Sequence, residues 1–329
     1  MTWVGSVAGV RGRIASLLRA ALVGTLCVVT TTISSAVALP LTSAAAAATT
    51  ASNAPFRGLG AWVDVFDYAP RLQADGTLPT VTVDSVDDMA RLGARTLYLQ
   101  VANPDDAPAD TLVDRTEISA LVRRAHDRGM SVVAWFLPYV SNVDADDEFV
   151  RQVVQLRSGG RGFDALALDI EDTKAVPDVQ ERNQRVVTLA KRARRAIGSN
   201  VPLAAIVYPA VQLDVVNPIL WPDFPYKKLQ PSIDVWMPMA YFTFRDEESG
   251  YRDAYKYTKE SVTRLRTHLD DDRAVVHPVG GIADQVTSDD LDGFLRAARA
   301  TGAIGWSLYD YATTFSTAWP ALRRSSPSA

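Results

Sequence analysis

The chain alternates short apolar segments with amphipathic ones, and the pair recurs roughly every 30–40 residues. The apolar segments are rich in Val, Ile, Leu and aromatic residues and lack a regular polar alternation. This pattern is typical of strands that are covered on both faces of a parallel sheet. We predict eight strands, at residues 60–67, 96–102, 131–138, 165–171, 203–208, 234–241, 274–279 and 303–309.

Helix signals occupy the intervals between the predicted strands. In one interval Asp114 stands three residues before Glu117, apolar residues follow at helical spacing, and Gly129 marks the end. Eight such strand–helix units predict a single-domain α/β fold, the (β/α)8 or TIM barrel. A doubly wound open sheet is the main alternative, but no G-x-G-x-x-G motif follows the first strand.

The N-terminal residues have the pattern of a secretory signal peptide. Arg11, Arg13 and Arg19 are followed by an apolar segment at 20–29 and then by the small-residue pattern Ala36-Val37-Ala38. We therefore expect a secreted protein, extracellular or associated with the cell wall, with no membrane partner after cleavage. The expected organisation is a signal peptide at 1–38, a flexible Ala/Thr/Ser spacer at 39–54, the barrel at 55–322 and a disordered tail at 323–329.

Composition excludes several classes of function. Cys27 is the single cysteine and lies within the predicted signal peptide, so the mature protein has no disulfide and no thiolate chemistry. Removing residues 1–38 takes away three arginines and no acid, which moves the formal charge from −4 to −7 and argues against nucleic acid as a partner. The 3 histidines have no metal-ligand spacing. We expect a monomer with no metal and no cofactor, although a carboxylate-only calcium site stays open.

The segment 163–171 is the most informative stretch of the chain, because it places Asp169 and Glu171 two positions apart at the end of an apolar strand. Side chains of a strand alternate in direction, so these two acids point the same way. The intervening apolar residues, Leu166, Leu168 and Ile170, point the other way. At the carboxyl end of a barrel strand, such a pair is suited to acid catalysis of sugar cleavage.

In a barrel the carboxyl ends of all strands meet on one face, so residues distant in sequence become neighbours there. Aromatic rings beside carboxylates suit a sugar, since pyranose faces are apolar and hydroxyls need polar partners. Besides the pair on strand four, the candidate set comprises Trp62, Asp64, Gln100, Trp135, Tyr208, Met239, Tyr241, His277, Trp306 and Asp310. Packing in the core is the competing interpretation for each tryptophan alone, for Met239 and for His277.

These motifs resemble those of family 18 glycoside hydrolases, the chitinase-like barrels. The fourth strand of that family reads D-x-x-D-x-D-x-E, and here those four positions hold Asp164, Ala167, Asp169 and Glu171. Its sixth strand carries M-x-Y, matched by 239–241, and its eighth carries a tryptophan, matched by 305–307. The chain departs from the pattern at Ala167, where the family has an acid, and at Phe242, where it has a polar residue.

Two further resemblances accompany this one. Family 25 lysozymes are similar at 168–171 and in an aspartate late in strand one, matched by Asp64. The chain as a whole is similar to secreted actinobacterial barrels of glycoside-hydrolase type.

The family 18 resemblance implies an O-glycosyl hydrolase with substrate-assisted retention. Glu171 would be the general acid, Asp169 would orient the 2-acetamido group of an N-acetylhexosamine, and Tyr241 would donate a hydrogen bond to that group. Trp306 would form the floor under the sugar.

Two alternatives stay open at this point. In a glycosidase that acts on sugars without an acetamido group, Asp64 or Asp310 would serve as the second carboxylate. The departures from the family pattern also allow a non-catalytic, lectin-like barrel that binds an oligosaccharide or polysaccharide at the cell wall.

Overall fold

The computed structural model describes residues 52–74, 77–102 and 111–325 and shows a closed barrel of eight parallel strands in sequential order. The strands are β1 (Gly58–Val63), β2 (Thr96–Gln100), β3 (Ser131–Phe136), β4 (Ala165–Ile170), β5 (Leu203–Val207), β6 (Val235–Ala240), β7 (Val279–Ile282) and β8 (Gly305–Tyr309). The pairing of β1 with β8 closes the ring. The predicted (β/α)8 barrel is confirmed.

Helices connect the strands. The α-helices of the described residues are α1 (Val65–Tyr68), α2 (Val83–Leu92), α3 (Arg115–Asp127), α4 (Val143–Gln155), α5 (Val179–Ile197), α6 (Tyr226–Leu229), α7 (Ala254–Leu269), α8 (Ser288–Ala300) and α9 (Trp319–Ser325). The predicted cap of α3 is present, since the Asp114 carboxylate accepts hydrogen bonds from the backbone N–H groups of Thr116 and Glu117, both at 3.0 Å. No described helix has the length and apolar character needed to cross a membrane.

Strand β7 departs most from its predicted position, and the predicted first strand, 60–67, runs four residues past Val63 into α1. We predict β7 at 274–279, whereas the regular strand begins at Val279. The preceding segment still pairs with its neighbours, because the His277 N–H donates to Trp236 O at 2.9 Å. Pro278 lacks an N–H group and separates this bridge from the regular strand.

Alternation along each strand divides the core into two layers. On β4, Ala165 and Ala167 belong to a cluster inside the barrel, whereas Leu166, Leu168 and Ile170 pack between the barrel and the helices. Asp169 continues the inward row. Both faces of the strand are buried, which explains why the strand sequences read as continuous apolar runs.

A polar network fills the amino-terminal half of the barrel. His277 Nε2 lies 3.0 Å from Ser307 Oγ, which accepts a 2.7 Å bond from Trp62 Nε1, and His277 Nδ1 lies 2.9 Å from Phe56 O. Burial lowers the pKa of His277 to about 4, so the imidazole is neutral. The alternative interpretation of His277, a satisfied core residue, is the one this environment supports.

Close packing in this region leaves no room for a side chain at Gly60 of β1. A Cβ added to Gly60 would lie 2.2 Å from the Tyr98 ring, and that ring stacks on Trp62 at 4.4 Å. The aromatic layer fills the barrel below the carboxyl ends of the strands, and we refer to that carboxyl-terminal end, where barrel enzymes carry their sites, as the open end.

The predicted segments outside the barrel are described only at their edges. Residues 1–51, with the predicted signal peptide and most of the predicted spacer, lie outside the described residues. Helix α9 extends to Ser325, three residues into the segment predicted as a tail, and 326–329 lie outside the described residues.

Candidate active site

Two carboxyl groups stand at the carboxyl end of β4. Asp169 is buried and its Oδ1 has no hydrogen-bond partner among the described residues. Glu171 follows directly after the strand and is half-buried. Burial raises the pKa of Asp169, and the neighbouring charge of Glu171 raises it further. Burial, and then the charge of Asp172, raises the pKa of Glu171 to about 7. The pair therefore retains protons at a pH at which an ordinary carboxyl has lost them.

Two tyrosines of neighbouring strands border this pair. Tyr208, after β5, donates from its hydroxyl to the backbone carbonyl of Glu171 at 3.2 Å. Burial raises the pKa of Tyr241, after β6, and the charges of Glu171 and Asp169 add to this effect. Both predicted tyrosines thus lie with the acidic pair, and their hydroxyl groups remain protonated donors.

Asp64 lies on another wall of the open end, at the junction of β1 and α1. Its Oδ1 accepts bonds from the backbone N–H groups of Phe66 (2.8 Å) and Asp67 (3.2 Å), and its Oδ2 accepts a 3.0 Å bond from Tyr309 Oη. Burial raises the pKa of Asp64, although the Tyr309 bond opposes that rise. The aspartate caps α1 and also presents a carboxylate to the interior of the open end.

Asp67 and Asp310 join Asp64 in a carboxylate trio, and we use that name for these three residues. Carboxylate oxygens from all three lie within 4.8 Å of one another, a spacing that could hold a divalent cation. Burial and the charges of Asp64 and Asp310 raise the pKa of Asp67 to about 7. None of the trio forms an ion pair with a lysine or arginine of the described residues. Asp67 is not among the residues predicted from the sequence, where its one signal is its place three residues after the helix-capping Asp64.

Tyr309, at the end of β8, is the aromatic centre of the site and was not predicted. Its ring lies 6.2 Å from Trp62, 6.3 Å from Trp135 and 6.4 Å from Tyr241, measured between centroids. The ring is half-buried, unlike those of Trp62 and Trp135. It connects the wall that carries Asp64 with the wall that carries Tyr241.

Trp306, predicted as the floor under the sugar, does not lie in the site. Its ring is completely buried between the barrel and the helices, and its Nε1 donates to Leu322 O of α9 at 3.2 Å. Strand alternation explains the correction: Ser307 and Tyr309 face inward, so Trp306, next to Ser307, must face outward.

The remaining predicted residues lie in or beside the open end but are buried. Trp62, Trp135 and Met239 belong to the inner cluster beneath the carboxyl end. Gln100 accepts a 3.0 Å bond from the Val65 N–H and thereby holds the start of α1. Trp135 differs from the others, because its Nε1 is buried and has no hydrogen-bond partner among the described residues. Asn103, another polar residue after β2, lies outside the described residues.

The family 18-like motif of β4 contains positions that support the fold and positions that face the candidate site. Asp164 lies at the amino end of the strand, where its Oδ2 accepts a bond from the Val132 N–H (2.7 Å) and contacts His126 Nε2 (2.9 Å). Phe242 faces outward and packs against Phe294 of α8, with ring centroids 6.2 Å apart. Of the two departures, only Ala167 therefore faces the interior of the barrel.

Comparisons with known proteins address the fold. No protein-family model matches the chain, and a search of curated proteins finds no relative. Solved structures do match. Among them are the PgaB (BpsB) glycoside hydrolase domain from Bordetella bronchiseptica (14% identity, TM-score 0.55, 84% of this chain and 100% of that chain), the C-terminal domain of a putative chitinase from Desulfitobacterium hafniense (12%, 0.57, 82% and 99%) and the spore cortex-lytic enzyme SleL of Bacillus cereus (10%, 0.58, 82% and 74%).

At these identities the likeness concerns the fold. The chain has a TIM-type barrel of the kind found in glycoside hydrolases.

Proposed function

We propose that this protein is a secreted glycoside hydrolase that acts on a glycan containing N-acetylhexosamine. The observation that carries the proposal is the Asp169–Glu171 pair, which ends an inward row of β4 beside Tyr208 and Tyr241. The glycoside-hydrolase neighbours are consistent with a glycan substrate. Secretion is supported by the arginine-rich and apolar pattern at residues 11–38.

Glu171 has the properties of a general acid. A carboxyl with a pKa of about 7 is about half protonated at neutral pH, is largely protonated below it and still gives up its proton readily. It would protonate the glycosidic oxygen as the bond to the anomeric carbon breaks. It would then take a proton from the water that completes hydrolysis, and this step restores the acid.

Asp169 would act on the substrate rather than on the leaving group. It lies deeper than Glu171, and its free Oδ1 can accept the N–H of a 2-acetamido group. This bond would turn the acetamido carbonyl oxygen toward the anomeric carbon, where it takes the place of a protein nucleophile. Tyr241, whose raised pKa keeps its hydroxyl protonated, would donate to the same group.

A two-carboxylate mechanism is the second candidate, and one observation favours it. Asp64 presents a carboxylate beside Tyr309, whose ring lies 6.4 Å from that of Tyr241, so a second acid borders the same space as Glu171. In that mechanism Asp64 or Asp310 would attack the anomeric carbon or activate water, and no acetamido group would be required.

The test uses purified protein with chitin oligosaccharides and with peptidoglycan, and it measures new reducing ends. We expect the parent protein to release them and Glu171→Gln to release none, with the fold of the variant intact. Asp164→Asn is the matched control, because it changes a carboxyl of the same strand at its opposite end. Binding without cleavage by the parent protein would contradict the proposal and support a lectin-like barrel. Cleavage by Glu171→Gln at the parent rate would remove Glu171 from the mechanism.

A further inference from the structure

Two exposed phenylalanines stand at the open end of the barrel. Phe66 is 46% exposed and follows β1, and Phe244 is 45% exposed and follows β6. The other large hydrophobic residues with high exposure are aliphatic: Leu78, Val215 and Ile219. Within the described residues, the strongly exposed aromatic rings are thus confined to the end that carries the candidate site.

Phe66 is held beside the carboxylate trio. Its N–H donates to Asp64 Oδ1 at 2.8 Å, and its carbonyl accepts a 2.7 Å bond from Gln73 Nε2. The capping box between Asp64 and Asp67 fixes the turn that carries the ring. The exposed ring is therefore presented by an anchored backbone.

Phe244 is held beside the tyrosine wall. Its ring meets that of Tyr241 edge to face, with centroids 5.9 Å apart, and its N–H donates to Tyr241 O at 3.1 Å. The adjacent Thr243 hydroxyl accepts a 3.0 Å bond from the Ile282 N–H of β7. This turn is therefore anchored to two strands.

The Phe244 ring lies at one end of a row of side chains, and the backbone of Phe66 adjoins the other end. From Phe244 the row passes to Tyr241 and then to Tyr309, 6.4 Å further, whose hydroxyl is bonded to Asp64, two residues before Phe66. Strands β7 and β8 lie between β6 and β1, so the row spans that side of the open end. A ligand that touches both outer rings would extend along Tyr241 and Tyr309 of the candidate site.

We propose that Phe66 and Phe244 are outer sugar-binding platforms and that the substrate is a polysaccharide long enough to contact both. This inference rests on the proposed function and names the class of its substrate. The apolar face of a pyranose covers a phenyl ring, which removes both surfaces from water. A sugar at either platform lies outside the cleaved unit, so the contact favours an enzyme that cuts within a chain.

The test measures KM and binding for N-acetylglucosamine oligomers of increasing length, from the dimer to the hexamer, and for soluble chitin. Phe66→Ala and Phe244→Ala should raise KM for the longest substrates roughly three- to tenfold and affect the dimer much less. Phe66→Trp and Phe244→Trp should retain the parent length preference. Ile219→Ala is the control, because this 88% exposed aliphatic residue lies between β5 and α6 and should have no effect.

The outcomes separate this inference from the proposed function. Equal KM changes at every length, or no change for either alanine variant, would overturn the inference while hydrolysis stands. If the parent binds these oligomers without cleaving them, the proposed function fails. Dissociation constants for the same oligomers then test the inference: Phe66→Ala and Phe244→Ala should weaken binding of the longest oligomers and affect the dimer much less. A folding defect in an alanine variant would also lower activity on the N-acetylglucosamine dimer. Phe66→Leu and Phe244→Leu then replace the alanine variants, because leucine keeps apolar bulk without a flat ring.

Discussion

Two groups of carboxyls border the open end of the barrel, and they differ in their hydrogen bonds. The carboxylate trio is well bonded: Asp64 accepts from two backbone N–H groups and a tyrosine, and Asp310 accepts from the N–H and hydroxyl of Thr313 at 3.0 and 2.9 Å. On β4, Asp169 keeps one oxygen unpaired, and the described residues donate no hydrogen bond to the Glu171 carboxyl.

This difference distinguishes carboxyl groups that support the fold from carboxyl groups that can react with a substrate. A carboxylate surrounded by donors holds a turn in place and has little capacity left for a substrate. Burial raises the pKa of Asp67 in the trio as well as the pKa values of the β4 pair, so the two groups differ in their hydrogen bonds, and a carboxyl without donors gains its missing partners when a substrate binds. The β4 pair therefore has the properties of a reacting centre, and the carboxylate trio has those of a scaffold that also borders the site.

The largest expected effect comes from exchanging one acid on each wall. Asp169→Asn should lower kcat roughly 100-fold or more, because an amide cannot ionise and so cannot become the charged acceptor that the carboxyl becomes when the acetamido N–H binds. Asp64→Asn should lower kcat less than about tenfold, because its main contacts are with the protein's own backbone. Steady-state kinetics on a chitin oligosaccharide compare kcat of the two variants. The reverse ranking would favour the two-carboxylate mechanism.

The next effect concerns pH. Since Glu171 must hold its proton to act as an acid, kcat/KM should fall about tenfold per pH unit above about pH 7. The charge of Asp172 contributes to the raised pKa of Glu171, so Asp172→Asn should move this descending limb to lower pH. Asp310→Asn, on the other wall, should leave the limb in place. An unmoved limb in Asp172→Asn would argue that another group controls the profile.

A smaller effect concerns stability. Asp64→Ala removes a helix cap and the Tyr309 bond and should cost about 1–2 kcal/mol of unfolding free energy. Asp169→Ala should be neutral or stabilising at neutral pH. The folded protein keeps the Asp169 carboxyl protonated where the unfolded chain ionises it, so the folded state binds more protons and stability falls as pH rises.

Urea unfolding at pH 5 and pH 8 measures both parts of this prediction. The advantage of Asp169→Ala over the parent should grow from pH 5 to pH 8. A destabilised Asp169→Ala with no pH dependence would show that this acid, like Asp64, is structural.

The smallest effect distinguishes the two aromatic residues of β8. Tyr309→Phe removes one hydrogen bond to Asp64 and should cost about 1 kcal/mol, with a change in KM because the lost hydroxyl orients the Asp64 carboxylate that borders the site. Trp306→Phe loses the bond to Leu322 O and should lower stability by a similar amount with KM unchanged. Thermal unfolding and KM measured on both variants test this assignment. A KM change confined to Trp306→Phe would instead support the sequence-based prediction that Trp306 forms the floor under the sugar.

The strands differ in how clearly their sequences indicate which residues face the barrel interior. On β4 an uninterrupted apolar run and a two-residue spacing predicted the direction of Asp169 and Glu171 correctly. On β8, several residues are candidates for the inward row, and the family-like pattern favours Trp306 over Tyr309. Both faces of a buried strand are apolar. The sequence therefore shows that alternate residues share a face, but it does not show which of the two sets faces the barrel interior. On β4 the two acids identified the set that faces the interior, whereas β8 has no comparable polar marker.

By itself, the sequence determined the order of strands and helices, the helix cap at Asp114 and the pairing of Asp169 with Glu171, because each depends on contacts between residues close in the chain. Only the tertiary structure decided that Asp164 serves the amino end of β4, that Phe242 packs against α8, and that Asp67, Tyr309 and Asp310 meet Asp64. These placements depend on how strands distant in sequence align when the barrel closes. Closure also sets the burial that raises the pKa of Glu171, so the acidity of the site is a property of the whole fold.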